Sequence, residues 1–152
     1  MSLPAVVQEA EPLTTRDKVH IIEAEMFKHE QLELPVNHHF SQGVYARELF
    51  IPKGTLLTGQ IHKFEQLNIM SKGEMSVLVD GVIKRVRAPF TVVSPPGTKR
   101  IAYAHEDTVW TTVHGTELRD LGEIESHFIA KSEADWLDFA KVLEAESPKC
   151  LG

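Results

Sequence analysis

The chain has 152 residues, 42% hydrophobic and 25% charged, with a formal net charge of −6. That length suits one domain around one core, and the acidic balance argues against coating a nucleic-acid polymer, which needs a basic face. The lone cysteine, Cys150, cannot close an intramolecular disulfide, no apolar run reaches the ~20 residues of a membrane helix, and no basic segment leads into an apolar one at the start, so the expectation is a soluble cytoplasmic protein with no membrane partner.

Residues 1–14 carry Pro4 and Pro12 and read as an arm. Thr15 has the chemistry of a helix N-cap, because its hydroxyl can accept from the open amides of a first turn. Val19, Ile22 and Met26 follow at spacings of three and four, which predicts one buried helical stripe. Pro35 disfavours helix at Leu34, so this helix should stop near "LELPV". His38-His39 reads as a partly exposed loop pair.

From 43 to 114 the texture changes to short runs rich in Val, Ile, Thr and Tyr between turn signals. "VYARELFI" is a strand ended by Pro52-Lys53-Gly54. "SVLVDGVIKRV" is a hairpin, since Asp80-Gly81 suits the positive φ angles of a two-residue type I′ turn. "FTVV" precedes Pro95-Pro96-Gly97, and "DTVWTTVH" is a further strand. Strands this close, with no helix between them, imply antiparallel pairing in a sandwich or small barrel. Helix returns near the end. Ser132 with Asp135 resembles a capping box, Trp136, Phe139, Ala140 and Leu143 share one face, and Pro148 marks the end. That face must cover either the barrel's outer surface or a second subunit.

Gly54, Gln60, His62, Gln66 and Gly73 keep the intervals of the first signature of the cupin superfamily, and Pro89, Pro95, Gly97, Arg100 and Ala104 those of the second. The stretch resembles a cupin over about residues 43–114. The wider segments "GVYARELFIPKG", "PPGTKR" and "HEDTVWTTVH" resemble small cupin-like proteins encoded by tailed bacteriophages and prophages. The resemblance implies a mainly β fold: an antiparallel jelly-roll β-barrel with an N-terminal helix and a C-terminal helix. The implied divisions are an arm and helix over 1–42, the barrel over 43–114 and a helical extension over 115–152.

Cupins gather three histidines and a carboxylate around one metal ion. Here Gln60 and Gln66 hold ligand positions as neutral amides, which bind zinc or iron weakly. Arg100 brings a permanent positive charge to another. Residues two apart on a strand face the same way, so Gln60 and His62 are expected to point inward, with Gln66 returning to the same layer and Arg100 on the strand after the Pro-Gly turn. These four are the expected ligand-binding residues, with no metal and no cofactor. His38, His39, His105 and His114 could compensate as ligands but show no clear ligand spacing.

Arg100 offers a planar fork for carboxylate or phosphate, or else a buried ion pair with Glu48, Glu65 or Asp107. Lys99 should point the other way. Trp110 reads as packing, and Glu123 and Glu125 as a solvated acidic turn. Tyr45 and Arg47 share a strand face of undetermined direction. The expected function is a non-catalytic cupin that binds or sequesters a small anionic ligand. The alternatives are a phage structural, assembly or virion accessory protein, and a cupin enzyme acting as an isomerase or a metal-dependent oxygenase. Open sheet edges and the Trp136–Leu143 stripe lead to an expected homodimer or higher oligomer.

Overall fold

The computed structural model describes residues 14–29, 33–79 and 81–146. The expectations for the arm, for Asp80, and for Pro148 and Cys150 lie outside them. Among the described residues no helix is long and apolar enough to cross a membrane.

The first helix, α1, spans Thr15–Met26, one residue later than expected: Thr14 is the N-cap. Its hydroxyl accepts from the Asp17 amide and the Asp17 carboxylate accepts from the Thr14 amide, so the two close a capping box. The expected stripe is only partly buried. Val19 is 2% exposed but Ile22 is 37% exposed. The helix is fastened instead by polar side chains. Glu23 accepts from Thr58 at 2.7 Å and from Lys99 at 2.8 Å, and Arg16 pairs with Glu133 at 2.8 Å.

The strands begin earlier than residue 43. β1 (Val36–Ser41) pairs antiparallel with β2 (Val44–Ile51), so His38 and His39 lie on a strand and not in a loop. β3 (Leu56–Thr58), β4 (Ile61–His62), β5 (Gln66–Lys72), β6 (Glu74–Val79), β7 (Val82–Arg87), β8 (Phe90–Ser94), β9 (Ile101–Ala104) and β10 (Thr108–Gly115) follow. β6 and β7 pair with Val79 opposite Val82, which is the expected hairpin.

One sheet has the order β1-β2-β10-β5-β8 and a second has β3-β9-β6-β7. Successive strands cross between two antiparallel sheets, which is the jelly-roll arrangement. The sheets face each other across one apolar cluster. Ile51 and Met70 from the first meet Met75, Val77, Ala102 and Ala104 from the second. Met70 and Ala104 are fully buried.

The extension after β10 contains a helix that was not expected. Glu123 and Glu125 lie on α2 (Leu121–Phe128) and not in a turn, and the Asp120 carboxylate caps it through the Glu123 amide. β11 (Ile129–Ala130) then pairs with β4, and α3 spans Glu133–Glu146. Ser132 accepts from the Asp135 amide, as its spacing suggested. The stripe on α3 packs against the chain's own turns. Phe139 meets Phe64 edge-on at 5.2 Å, and Trp136 lies over Gly97.

Gly97 deserves its residue type twice over. Its φ is +81°, and a side chain there would drive into the Trp136 ring. Its amide donates to the His62 carbonyl at 2.8 Å, and its carbonyl accepts from Arg16 at 2.9 Å. The turn that leads to Arg100 is therefore held by β4, α1 and α3. Gly97→Ala should cost about 2–4 kcal/mol, from overpacking plus the left-handed backbone penalty. Urea denaturation followed by tryptophan fluorescence measures this loss, and an unchanged midpoint would contradict it.

Candidate functional site

An open cavity of about 1670 Å³ lies between the sheets, and Gln60, His62, Gln66 and Arg100 all line it. Their positions differ in detail from the expectation. His62 ends β4, and Gln66 opens β5 with only 6% of its surface exposed. Gln60 sits in the connection before β4 and is exposed. Arg100 lies just before β9, where its carbonyl accepts from the Gly59 amide at 2.8 Å. Lys99 precedes the strand and lines the same cavity, contrary to the expectation that it points the other way, and its ammonium donates to Glu23 at 2.8 Å.

Strand pairing then identifies the neighbours. Opposed residues on paired strands share a face. Arg47 stands opposite both His38 and Thr112, and Tyr45 opposite His114. Arg47 and Tyr45 therefore face inward, and both line the cavity. These two and His114 are the site residues that sequence reasoning left open. The signal was the period-two series Tyr45, Arg47, Leu49, Ile51 and its partner Thr108, Trp110, Thr112, His114, which needed only one buried member to fix its direction.

The interior is layered. The apolar cluster forms the floor. Above it runs a connected polar layer. Arg100 donates to Ser94 Oγ, and Asn68 Nδ2 donates to the same oxygen at 2.8 Å. Thr112 and Trp110 donate to Asn68 Oδ1 at 2.9 and 3.3 Å. The Arg100 guanidinium also lies over the Trp110 ring at 5.9 Å. Trp110 thus packs on the floor, as expected, and also orients the cation. Of the three alternative partners expected for Arg100, Glu48 meets Asn37 and His39, Asp107 accepts from the Lys53 amide, and Glu65 is exposed.

The next layer is a row of stacked rings. His62 stacks on His114 at 5.6 Å, His114 on Tyr45 at 6.0 Å, and Tyr45 on His38 at 5.9 Å. His38 Nδ1 shares a 2.7 Å hydrogen bond with the Tyr45 hydroxyl. Phe128 of α2 closes over His114 at 4.3 Å, so α2 roofs this end.

Burial lowers the His62 pKa to about 3, with His114, Arg100 and Arg47 adding to the effect. Burial, then Arg47, lowers His114 to about 4. Both imidazoles are neutral at pH 7. Two buried atoms in the described structure have no hydrogen-bond partner: His62 Nδ1 and Gln66 Oε1.

The donor set does not fit the metal that the cupin resemblance implies. A ligating imidazole holds an ion in its own ring plane, and His62 and His114 are stacked at 17°. Two arginines and two neutral amides line the cavity with them, and the lining carboxylates Glu23 and Glu133 are bonded to Lys99, and to Arg16 and His20. Among the described residues no three His, Cys, Asp or Glu side chains are grouped to hold an ion.

No family model matches the chain, and no curated protein matches it. Among solved structures it is similar to an RmlC-like cupin from Shewanella frigidimarina, at 24% identity over 54% of this chain and 75% of that one, TM-score 0.47. It is similar to KdgF from a Halomonas species, at 17% identity over 62% and 92%, TM-score 0.48. A cupin superfamily protein from Desulfitobacterium hafniense is 10% identical over 72% and 94%, TM-score 0.48. The architecture rests on the strand order and register above, and the activities of these proteins are not carried to this chain.

The two depressed histidines set a pH dependence. The unfolded chain binds protons at these rings near pH 6.5, whereas the folded chain resists them until about 4 at His114 and about 3 at His62. The unfolded state therefore takes up more protons below 6.5, and stability falls as pH drops. Urea midpoints should decline between pH 7 and 5, above the carboxylate range. In His62→Gln the decline should be shallower. An equally steep decline in that variant would exclude His62 as a source.

Proposed function

We propose that the cavity binds a small anionic ligand and performs no chemistry on it. The observation that supports this reading is the placing of Arg47 and Arg100 on the cavity walls beside histidines that stay neutral. Among the described residues Arg47 makes no ion pair. Both guanidinium groups are suited to carboxylate or phosphate oxygens. With the resemblance to phage-encoded proteins, sequestration of a host metabolite is the role we favour.

The enzyme alternatives find less support. A general base needs a pKa near working pH and a partner that orients it. His62 titrates near 3, and no carboxylate among the described residues bonds to its ring. A purely structural role would suit a filled interior, whereas a cavity of about 1670 Å³ remains. Arg100→Gln should weaken binding of phosphate or small carboxylates by about 1.5–3 kcal/mol in calorimetry, and His62→Ala should weaken it less. Protein purified without chelator should carry far less than one equivalent of iron, zinc, manganese or nickel. Near-stoichiometric metal bound through His62 would overturn the proposal and favour the oxygenase or isomerase.

We also keep the homodimer or higher oligomer as a proposal, on changed grounds. Trp136 and Phe139 of the α3 stripe pack on the chain's own turns, although no α3 residue is fully buried, and Leu67 and Val93 pair on the outer face, 37% and 55% exposed, with β8 at the sheet edge. Sedimentation at micromolar concentration should show species above the 17.1 kDa monomer, and Leu67→Asp with Val93→Asp should shift them to monomer. A wild-type monomer would end the proposal.

A further inference from the structure

We infer that the ligand is amphipathic: a carboxylate head held by Arg47 and Arg100, with an apolar chain lying in a slot that β2, β3 and the end of α1 wall. The inference rests on the anion-binding reading and deepens it.

It starts from a change of chemistry along the strands. On the inward face of β2, Tyr45 and Arg47 are followed by Leu49 and Ile51. Their partners on β10 change in step, from His114 and Thr112 to Trp110. On β5, Asn68 opposite Thr112 is followed by Met70 opposite Trp110. The polar layer thus gives way to an apolar one between Arg47 and Leu49, about 7 Å along the strand. The second sheet matches it, with Leu57 opposite Ala102 and Ala102 opposite Val77. The Arg100 guanidinium lies over the Trp110 ring, so positive charge stands at the boundary of the two layers.

A ligand meets only the surface it can touch. Ile51, Met75, Val77 and Ala102 are buried and offer little. Leu34, Leu49, Leu57 and Trp110 pack on them, are only partly buried, and line the cavity. From α1, Met26 joins this lining partly buried, and Phe27 joins it 66% exposed. The buried residue of that helix is Val19, so Met26 and Phe27 lie outside the core. Apolar surface facing an open cavity is stabilised when an apolar group covers it.

The charges of the lining agree with a ligand charged at one end. Glu23 is bonded to Thr58 and Lys99, and Glu133 to Arg16 and His20. His29, Lys53, Glu125 and Lys131 are exposed. Arg47, opposite Thr112, and Arg100, bonded to Ser94, stand in the polar layer. A carboxylate there meets both guanidinium groups. A second charge further along the ligand would be set beside Leu49 and Leu57, where it loses hydration. An apolar chain loses nothing there.

The test is a series of carboxylates of growing length: acetate, butyrate, hexanoate and octanoate, each titrated calorimetrically into the wild-type protein. 1-Octanol supplies the chain without the charge. Each added methylene should tighten binding about two- to fourfold, so octanoate should bind about tenfold or more tightly than butyrate. 1-Octanol should bind about tenfold or more weakly than octanoate. Leu57→Gln should remove most of the gain from butyrate to octanoate. Phe27→Ser, at an exposed position, should weaken octanoate about threefold or more relative to acetate, and it decides the matter if Leu57→Gln does not fold. Equal binding of acetate and octanoate would overturn the apolar slot and leave the anion reading standing. 1-Octanol binding as tightly as octanoate would overturn the anion reading and this inference with it. A gain with chain length that is unchanged in the variants would overturn the slot as the seat of the chain. No binding of any of the series, nor of inorganic phosphate, would sink both readings.

Discussion

Positive charge on the walls of the open cavity is the constraint on which the rest of the site depends. Arg47 comes from one sheet, and Arg100 comes from the turn that leads into the other. A guanidinium cannot shed its proton at neutral pH, so the neighbours must adapt. The histidines adapt by staying neutral. Trp110 adapts by offering a ring face to Arg100, and Ser94 and Asn68 by forming a chain of hydrogen bonds that ends on it. The cavity stays open to water, which keeps the cost of the charges tolerable.

This arrangement explains why the intervals of a metal site can persist without its ligands. The glycines that keep those intervals serve the backbone. Gly73 has φ +100° and leaves no room for a side chain beside Thr108, and Gly97 leaves none beside Trp136. Such positions are dictated by the turns between strands and are indifferent to what the cavity holds. Side chains at Gln60, His62, Gln66 and Arg100 could therefore change chemistry while the frame kept its spacing.

The sequence carried the frame well and the site only in part. The β6–β7 hairpin, β2, β8 and β10 were legible because alternation and turn residues agree there. α2 was not, because "LGEIESHF" is short, begins with a glycine at its second position and has an acidic first turn that reads as loop. β1 was missed because His38, His39 and Asn37 are exposed and give no apolar alternation. Thr14 and Thr15 are chemically equivalent as caps, and only the reach of Asp17 back to Thr14 chooses between them. In the site, spacing found the four signature positions. Arg47, His114 and Tyr45 were visible as a face but not as an inward one, since direction depends on register with strands far away in sequence.

The grip on Gly97 has a consequence for how the pocket can vary between descendants of this chain. Arg16, Trp136 and the His62 carbonyl hold the turn that delivers Arg100, and Lys99 is tied to α1 through Glu23. Arg16 and Trp136 do not themselves line the cavity, although their helices present Glu23 and Glu133 to it. Drift in either one would re-aim the guanidinium without altering a single pocket residue. Selectivity in this fold is therefore heritable through its exterior, and two proteins with identical linings could part ways in what they hold.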